Sequence, residues 1–209
     1  MPDRPTRGRP RKFDKEEVLQ KILKEFWIKG FAATSLDDLS AATGLTRPSL
    51  YAAYGNKTQM YLAALQSFVG QMSDTAMPAL SGAGDLESAL EGFYQGALNV
   101  YFGTRKQALG CLVFTTAIGD VASDTQIKKA VNGFVEGLDG ALAQCIHSYA
   151  PHLDTGHARS LARLASGMLM NLATRARAGE KRETLNELAA TSAAFIAQAV
   201  GTSSGRKKA

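Results

Sequence analysis

Thr34–Lys57 reads TSLDDLSAATGLTRPSLYAAYGNK, and its punctuation predicts two short helices joined at Gly44. Thr34 or Ser35 caps the first, with Asp37 and Asp38 in the first turn, where the helix dipole favours negative charge. Gly44 stands where the chain must turn sharply, in a left-handed conformation that glycine adopts without steric penalty. Ser40 or Ala41 is small enough for a steep helix crossing, and Leu39, Leu45 and Leu50 pin the pair to a neighbour. Thr46 caps the second helix, whose outer side then offers Arg47, Ser49 and Tyr51. Asn56 with Gln59 opens a further helix running toward Pro78.

Upstream, Val18, Leu19, Ile22, Leu23, Phe26 and Trp27 recur at helical spacing, with Asp14 and Glu17 at the start and Gly30 at the end. A helix here, packed on the pair, makes a three-helix unit over residues 14–60. In such a unit one helix can enter a DNA major groove while another crosses the backbone. An ordinary helical hairpin has the same punctuation, so charge has to separate the two readings. Residues 1–64 hold 11 Lys and Arg against 7 Asp and Glu, whereas residues 65–205 hold 10 against 12. A basic head on a near-neutral body points the head at a polyanion. Arg4, Arg7, Arg9 and Arg11 crowd the first 13 residues, which are expected to form a disordered basic arm. Within it, Arg7-Gly8-Arg9-Pro10 is slim and extended enough to follow a narrow, A/T-rich minor groove. The basic end over residues 203–209 has no comparable neighbour and reads as a solubilising tail.

The body, residues 61–202, also reads as helical, and the fold class is all-α. Alanine is frequent and alternating β-branched runs are absent. Leu80–Gly84 reads as a loop. Leu86 to Tyr101 carries one apolar stripe, a helix is expected around Leu109–Ile118, and another runs from about Thr125 to Ala150, ended by Pro151. Two long segments close the chain, their stripes rich in small residues that let helices approach closely. No apolar run nears the ~18 residues of a membrane span, and no apolar signal core follows the charged N-terminus. A cytoplasmic protein is expected. Cys111 and Cys145 are too few for a disulfide framework, and three histidines with no Cys pair at ligand spacing offer no zinc site. No metal or cofactor is expected.

Gly30–Leu65, GFAATSLDDLSAATGLTRPSLYAAYGNKTQMYLAAL, resembles the DNA-binding domain of the TetR family of bacterial transcriptional regulators. The G-F-x-x-T-S opening, the L-x-x-A-T-G-L-T-R-x-S-L-Y core and the Asn56-Lys57 helix start carry the likeness, which spans roughly residues 14–65. The resemblance implies a helix-turn-helix domain followed by a helical bundle that dimerises and binds an effector. Thr34 or Ser35 would then meet phosphate at a helix N-terminus, Thr46, Arg47, Ser49 and Tyr51 would lie on the recognition helix, and Lys57 would contact the backbone beyond it. Four positions depart from the family pattern. Ser40 stands where alanine is common, Ala52-Ala53 replaces an aromatic or histidine pair, and Tyr54 replaces phenylalanine. Loss of the ring at Ala53 removes one expected phosphate contact.

The same resemblance implies a repressor released from a palindromic double-stranded operator by an unknown small molecule. Candidates for its pocket are Phe68, Met72, Phe93, Tyr94, Tyr101, Cys111, Phe114 and Phe134, although an aromatic stripe is more often packing. The homodimer contact falls to the last two helices, at Leu161, Leu164, Met168, Leu172, Leu188, Phe195 and Ile196. Cys111, in ALGCLVFTTAIG with Arg105 and Lys106 close by, offers an alternative switch through an electrophile or oxidant. A nucleoid-type A/T-rich DNA packer is a second alternative, but it has no use for so large a body. An enzyme with Cys111 as nucleophile is rejected, because no motif couples His147, His152 or His157 to it.

Overall fold

The computed structural model describes residues 13–103, 108–122 and 124–202, and among these every regular element is a helix. Helix α1 (Lys15–Lys29) starts at Asp14, whose carboxylate accepts from the amides of Glu16 and Glu17. Its buried stripe is Val18, Ile22, Leu23, Phe26 and Trp27. In α2 (Leu36–Thr43) Ser35 is the cap, closing a reciprocal box with Asp38. Gly44 then adopts φ 72° and ψ 10°, the left-handed turn its position demands. Helix α3 (Arg47–Tyr54) follows from the Thr46 cap, with Pro48 in its first turn, where no helical amide is lost. Leu39 and Leu50 are fully buried beneath the pair.

Helix α4 (Lys57–Thr75) is capped by Asn56 and Gln59 in a second reciprocal box. It ties the three-helix unit to the body. Tyr61 meets Phe26 edge-on at 4.9 Å, and Phe68 meets Trp27 at 4.9 Å. The expected boundary at residues 60 and 61 lies inside this unbroken helix, and one apolar core runs from Val18 to Val200. The body adds α5 (Ala79–Gly82), α6 (Leu86–Phe102), α7 (Leu112–Thr115), a 3-10 turn over Ala117–Asp120, α8 (Thr125–Tyr149), α9 (Thr155–Arg177) and α10 (Arg182–Thr202). Helix α8 lies along α9, and α10 packs on α6 and α9. Buried alanines at 158, 162, 165 and 173 of α9 and at 189 and 193 of α10 allow that approach.

Several expectations change. Leu80–Gly84 is partly helical, in α5. The helix expected over Leu109–Ile118 is only α7 and the 3-10 turn. Gly110 breaks it at φ +66°, where an added Cβ would stand 2.3 Å from the Ala173 carbonyl oxygen. Of the expected dimer residues, Leu161, Leu172 and Ile196 are buried inside the chain. Leu164 and Phe195 are 57% and 65% exposed, and Met168 and Leu188 are half-buried. The basic arm, with Arg7 and Arg9, the tail, and Arg105 and Lys106 lie outside the described residues.

Candidate nucleic-acid interface and internal cavity

The outer side of α3 presents Arg47 and Tyr51, with Thr46 exposed at its start. Tyr51 is 46% exposed. The Arg47 guanidinium grips Asp37 of α2 with both arms, Nε to Oδ1 at 2.9 Å and Nη2 to Oδ2 at 2.5 Å. Such a solvated pair adds little stability. It sets the direction of a side chain that otherwise swings freely. Ser49 is half-buried and committed to the cap, its Oγ 3.0 Å from that of Thr46. Tyr54 packs its ring on the core and donates its hydroxyl to the Lys15 carbonyl at 2.6 Å.

Thr34 does not face solvent. It is fully buried, and its hydroxyl donates to the Gly30 carbonyl at 2.6 Å. That leaves Ser35 as the exposed residue at the α2 N-terminus, yet its hydroxyl donates to Asp38 at 2.7 Å. Hydrogen bonds from Lys29, at 2.8 Å, and then from Ser35 hold the Asp38 carboxyl well below the usual range. A carboxylate therefore already occupies this helix end. Lys57 sits with Nζ 4.6 Å from the centre of the Phe31 ring. Burial lowers its pKa, against the opposing charges of Asp120 and Asp38.

The interface is bolted to the body by groups the sequence did not flag. The Trp27 indole donates to the Gly110 carbonyl at 3.1 Å. Arg177, at the end of α9, donates to the carbonyls of Trp27, Ile28 and Leu109. Tyr61 and Thr116 share a hydrogen bond of 3.1 Å, and Thr58 donates to Asp124 at 3.1 Å.

Between α4, α6, α8 and α9 lies a cavity of about 230 Å³, with Met72, Phe93, Leu138 and Leu169 as a buried floor. A second, of about 390 Å³, adjoins it and is walled by Leu65, Val113 and Val131. Val69, Gly133 and Phe134 line both. Of the expected pocket residues, Met72, Phe93 and Phe134 line this space. Phe114 stacks edge-on against Phe134 at 5.5 Å. Phe68, Tyr94 and Tyr101 are fully buried core residues that line neither cavity. Cys111 is also sealed in the core, and burial pushes its thiol up to about 12. Gly133 and Gly137, on one side of α8, went unnoticed in the sequence, although paired glycines inside a helix are a readable signal.

Among the described residues no group of three His, Cys, Asp or Glu side chains could hold a metal, and no helix is long and apolar enough to cross a membrane. Residues 18–64 match the family described as bacterial regulatory proteins, tetR family. The chain is 29% identical over 193 residues to the HTH-type transcriptional repressor ComR of Escherichia coli (strain K12), covering 89% of this chain and 90% of that one. It is 29% identical over 122 residues to the uncharacterized HTH-type transcriptional regulator YezE of Bacillus subtilis (strain 168), covering 58% and 62%. Its fold is that of a cysteine mutant of the regulator CifR complexed with 26-base-pair double-strand operator DNA, with a TM-score of 0.79, 23% identity, and 90% and 98% of the two chains covered.

Proposed function

The chain belongs to the TetR family of bacterial regulatory proteins, and we propose that it works as a homodimeric repressor that reads a palindromic operator and leaves it when a small molecule enters the body. The observation that carries this reading is the exposed α3 face, with Arg47 braced by Asp37 and Tyr51 outward, on a unit hydrogen-bonded to a cavity-bearing body. Arg47 and Tyr51 contact DNA, Thr46 and Ser49 hold the α3 start, and Ser35 and Lys57 flank the backbone. Arg7 and Arg9 follow the minor groove beside the operator. Leu164 and Phe195, with Met168 and Leu188 at their edge, form the two-fold contact between α9 and α10 of each protomer. Two short recognition helices acting together square the discrimination of one. The chain acts in the cytoplasm as a regulator, and the sealed Cys111 offers no exposed nucleophile.

The cavity favours a binding effector over a thiol switch at Cys111, whose burial disfavours the reactive thiolate. Capture of fragmented genomic DNA by the purified protein at moderate salt tests the reading. Recovery of one or a few palindromes is expected. Diffuse recovery of A/T-rich DNA would replace the repressor with a DNA packer.

A further inference from the structure

We infer that the cavity takes an uncharged, largely apolar small molecule, admitted past Gly133 and Gly137; this rests on the effector-release reading above. The lining carries the first half of the inference. Floor and walls are aliphatic, aromatic or thioether: Met72, Phe93, Leu138, Leu169, Leu65 and Val131. The polar side chains on the lining are Ser73 and Gln66, and both are exposed at the rim. Among the described residues no Lys, Arg, His, Asp or Glu lines either space. A charged ligand would lose its hydration without gaining a counter-charge, which is strongly unfavourable. An apolar body costs nothing of that kind, and one hydroxyl or carbonyl can remain at the rim with Ser73 or Gln66. The volumes, about 230 and 390 Å³, fall around the lower end of the roughly 300–1,000 Å³ of small-molecule sites. The ligand is therefore compact.

The glycines carry the second half. Gly133 and Gly137 lie one turn apart inside α8, where glycine weakens a helix. They do not serve close packing, because a Cβ added at either meets nothing within 4 Å. By contrast, Gly96 of α6 is packed so tightly that its Cβ would come within 2.6 Å of the Ala76 backbone. The α8 pair instead leaves open space at the exposed edge of the cavity. A Cβ added there would displace no neighbour.

The test is fluorescence titration of the DNA-free full chain with N-phenyl-1-naphthylamine, followed by competition. Naphthalene-2-methanol, 2-naphthoate and 2-naphthylmethylammonium differ mainly in charge. Saturable binding is expected, with the neutral competitor at least about tenfold stronger than either ion. Gly137→Leu and Gly133→Val should each weaken probe binding at least about tenfold while circular dichroism stays unchanged, since both side chains enter open space. No saturable binding, equal competition by an ion, or undiminished binding in both variants overturns the inference. Probe binding that fails to release captured operator DNA supports the ligand class and removes only the effector-release reading.

Discussion

Arg177 at the end of α9 donates from Nη1 to the carbonyl of Trp27 at the end of α1, across 2.9 Å. The last carbonyls of a helix have no partner within it, and this guanidinium satisfies two of them, reaching Ile28 with Nη2 at 2.9 Å. Nη1 also binds the Leu109 carbonyl at 3.0 Å. One side chain thus joins α1, α9 and the strip leading into α7. Helix α7 itself supplies Val113 to the cavity wall, and its Phe114 stacks on Phe134. Helix α7 is thus linked on one side to the cavity wall and on the other to the end of α1.

Removing the clip should be costly. Arg177→Ala leaves three carbonyls without their charged donor, and a destabilisation of about 3 kcal/mol is expected by denaturant unfolding at fixed protein concentration. Hydrogen exchange should speed up first at the C-terminal turn of α1. Arg177→Lys should recover less than half of the loss, because an ammonium cannot span the three acceptors as a planar fork does. A change within about 0.5 kcal/mol, typical of an unremarkable surface site, would show that the clip is not structural.

Ser40→Ala should stabilise the protein. The Ser40 hydroxyl is buried without a hydrogen-bond partner, where the sequence resemblance already marked alanine as the common residue. Deleting the hydroxyl relieves its desolvation and improves helix propensity, together about 1 kcal/mol. A melting temperature that falls would mean the hydroxyl has a partner, such as an ordered water.

Arg47 and Tyr51, both exposed on α3, should separate shape reading from charge. Tyr51→Ala should reduce affinity for the captured operator at least about tenfold while stability changes by no more than about 0.5 kcal/mol. Arg47→Ala should flatten the salt dependence by about one unit of slope if the guanidinium neutralises a phosphate. Asp37→Asn, which frees Arg47 and removes a negative charge, should tighten binding at low salt. An unchanged salt slope in Arg47→Ala would move Arg47 from the backbone to a base or off the DNA.

How much of this was readable depends on how local each cause is. The α2–α3 pair was legible because Ser35, Asp38, Gly44, Thr46, Asn56 and Gln59 act within a few residues of themselves. The choice between Thr34 and Ser35 was not, since burial of Thr34 comes from tertiary packing. Gly110 reads as part of a helix because the distant Ala173 carbonyl, which leaves no room for a Cβ there, has no local signal. On α9, Leu161 and Leu164 belong to one apolar pattern, and only packing against α8, α10 and α6 decides that one is core and the other exposed. Arg177 carries no local signal at all. Its partners lie 68 to 150 residues away.

Acid should weaken the α1–α2 junction. Asp38 has a folded-state pKa depressed by Lys29 and then Ser35, so its contribution is present above the unfolded value of about 3.9 and is lost as pH falls through the folded value. Lys29 has the opposite sign. Its pKa is raised by Asp38 and then Glu25, so its share is present below the unfolded value of about 10.4 and fades as pH rises through the folded one. Asp38→Asn should lower the melting temperature at neutral pH and make its decline below pH ~4 shallower. Parallel acid limbs in the two proteins would show that other carboxylates set the transition.

Cys111 should resist alkylation in the native protein. It is fully buried, and desolvation raises its thiol to about 12, outweighing the nearby Phe114 and Val113 amides and the Tyr101 hydroxyl, which act in the opposite direction. Cys145 is also buried, and burial raises it to about 11. Iodoacetamide at pH 8 should therefore label both thiols at least about a hundredfold more slowly than a free cysteine near pKa 8.5, and denaturant should abolish the protection. Intact-mass spectrometry over time reads this directly. Fast native labelling at Cys111 accompanied by loss of operator binding would reverse the ranking of the two switches, making the thiol the sensor and the cavity the space into which its adduct folds.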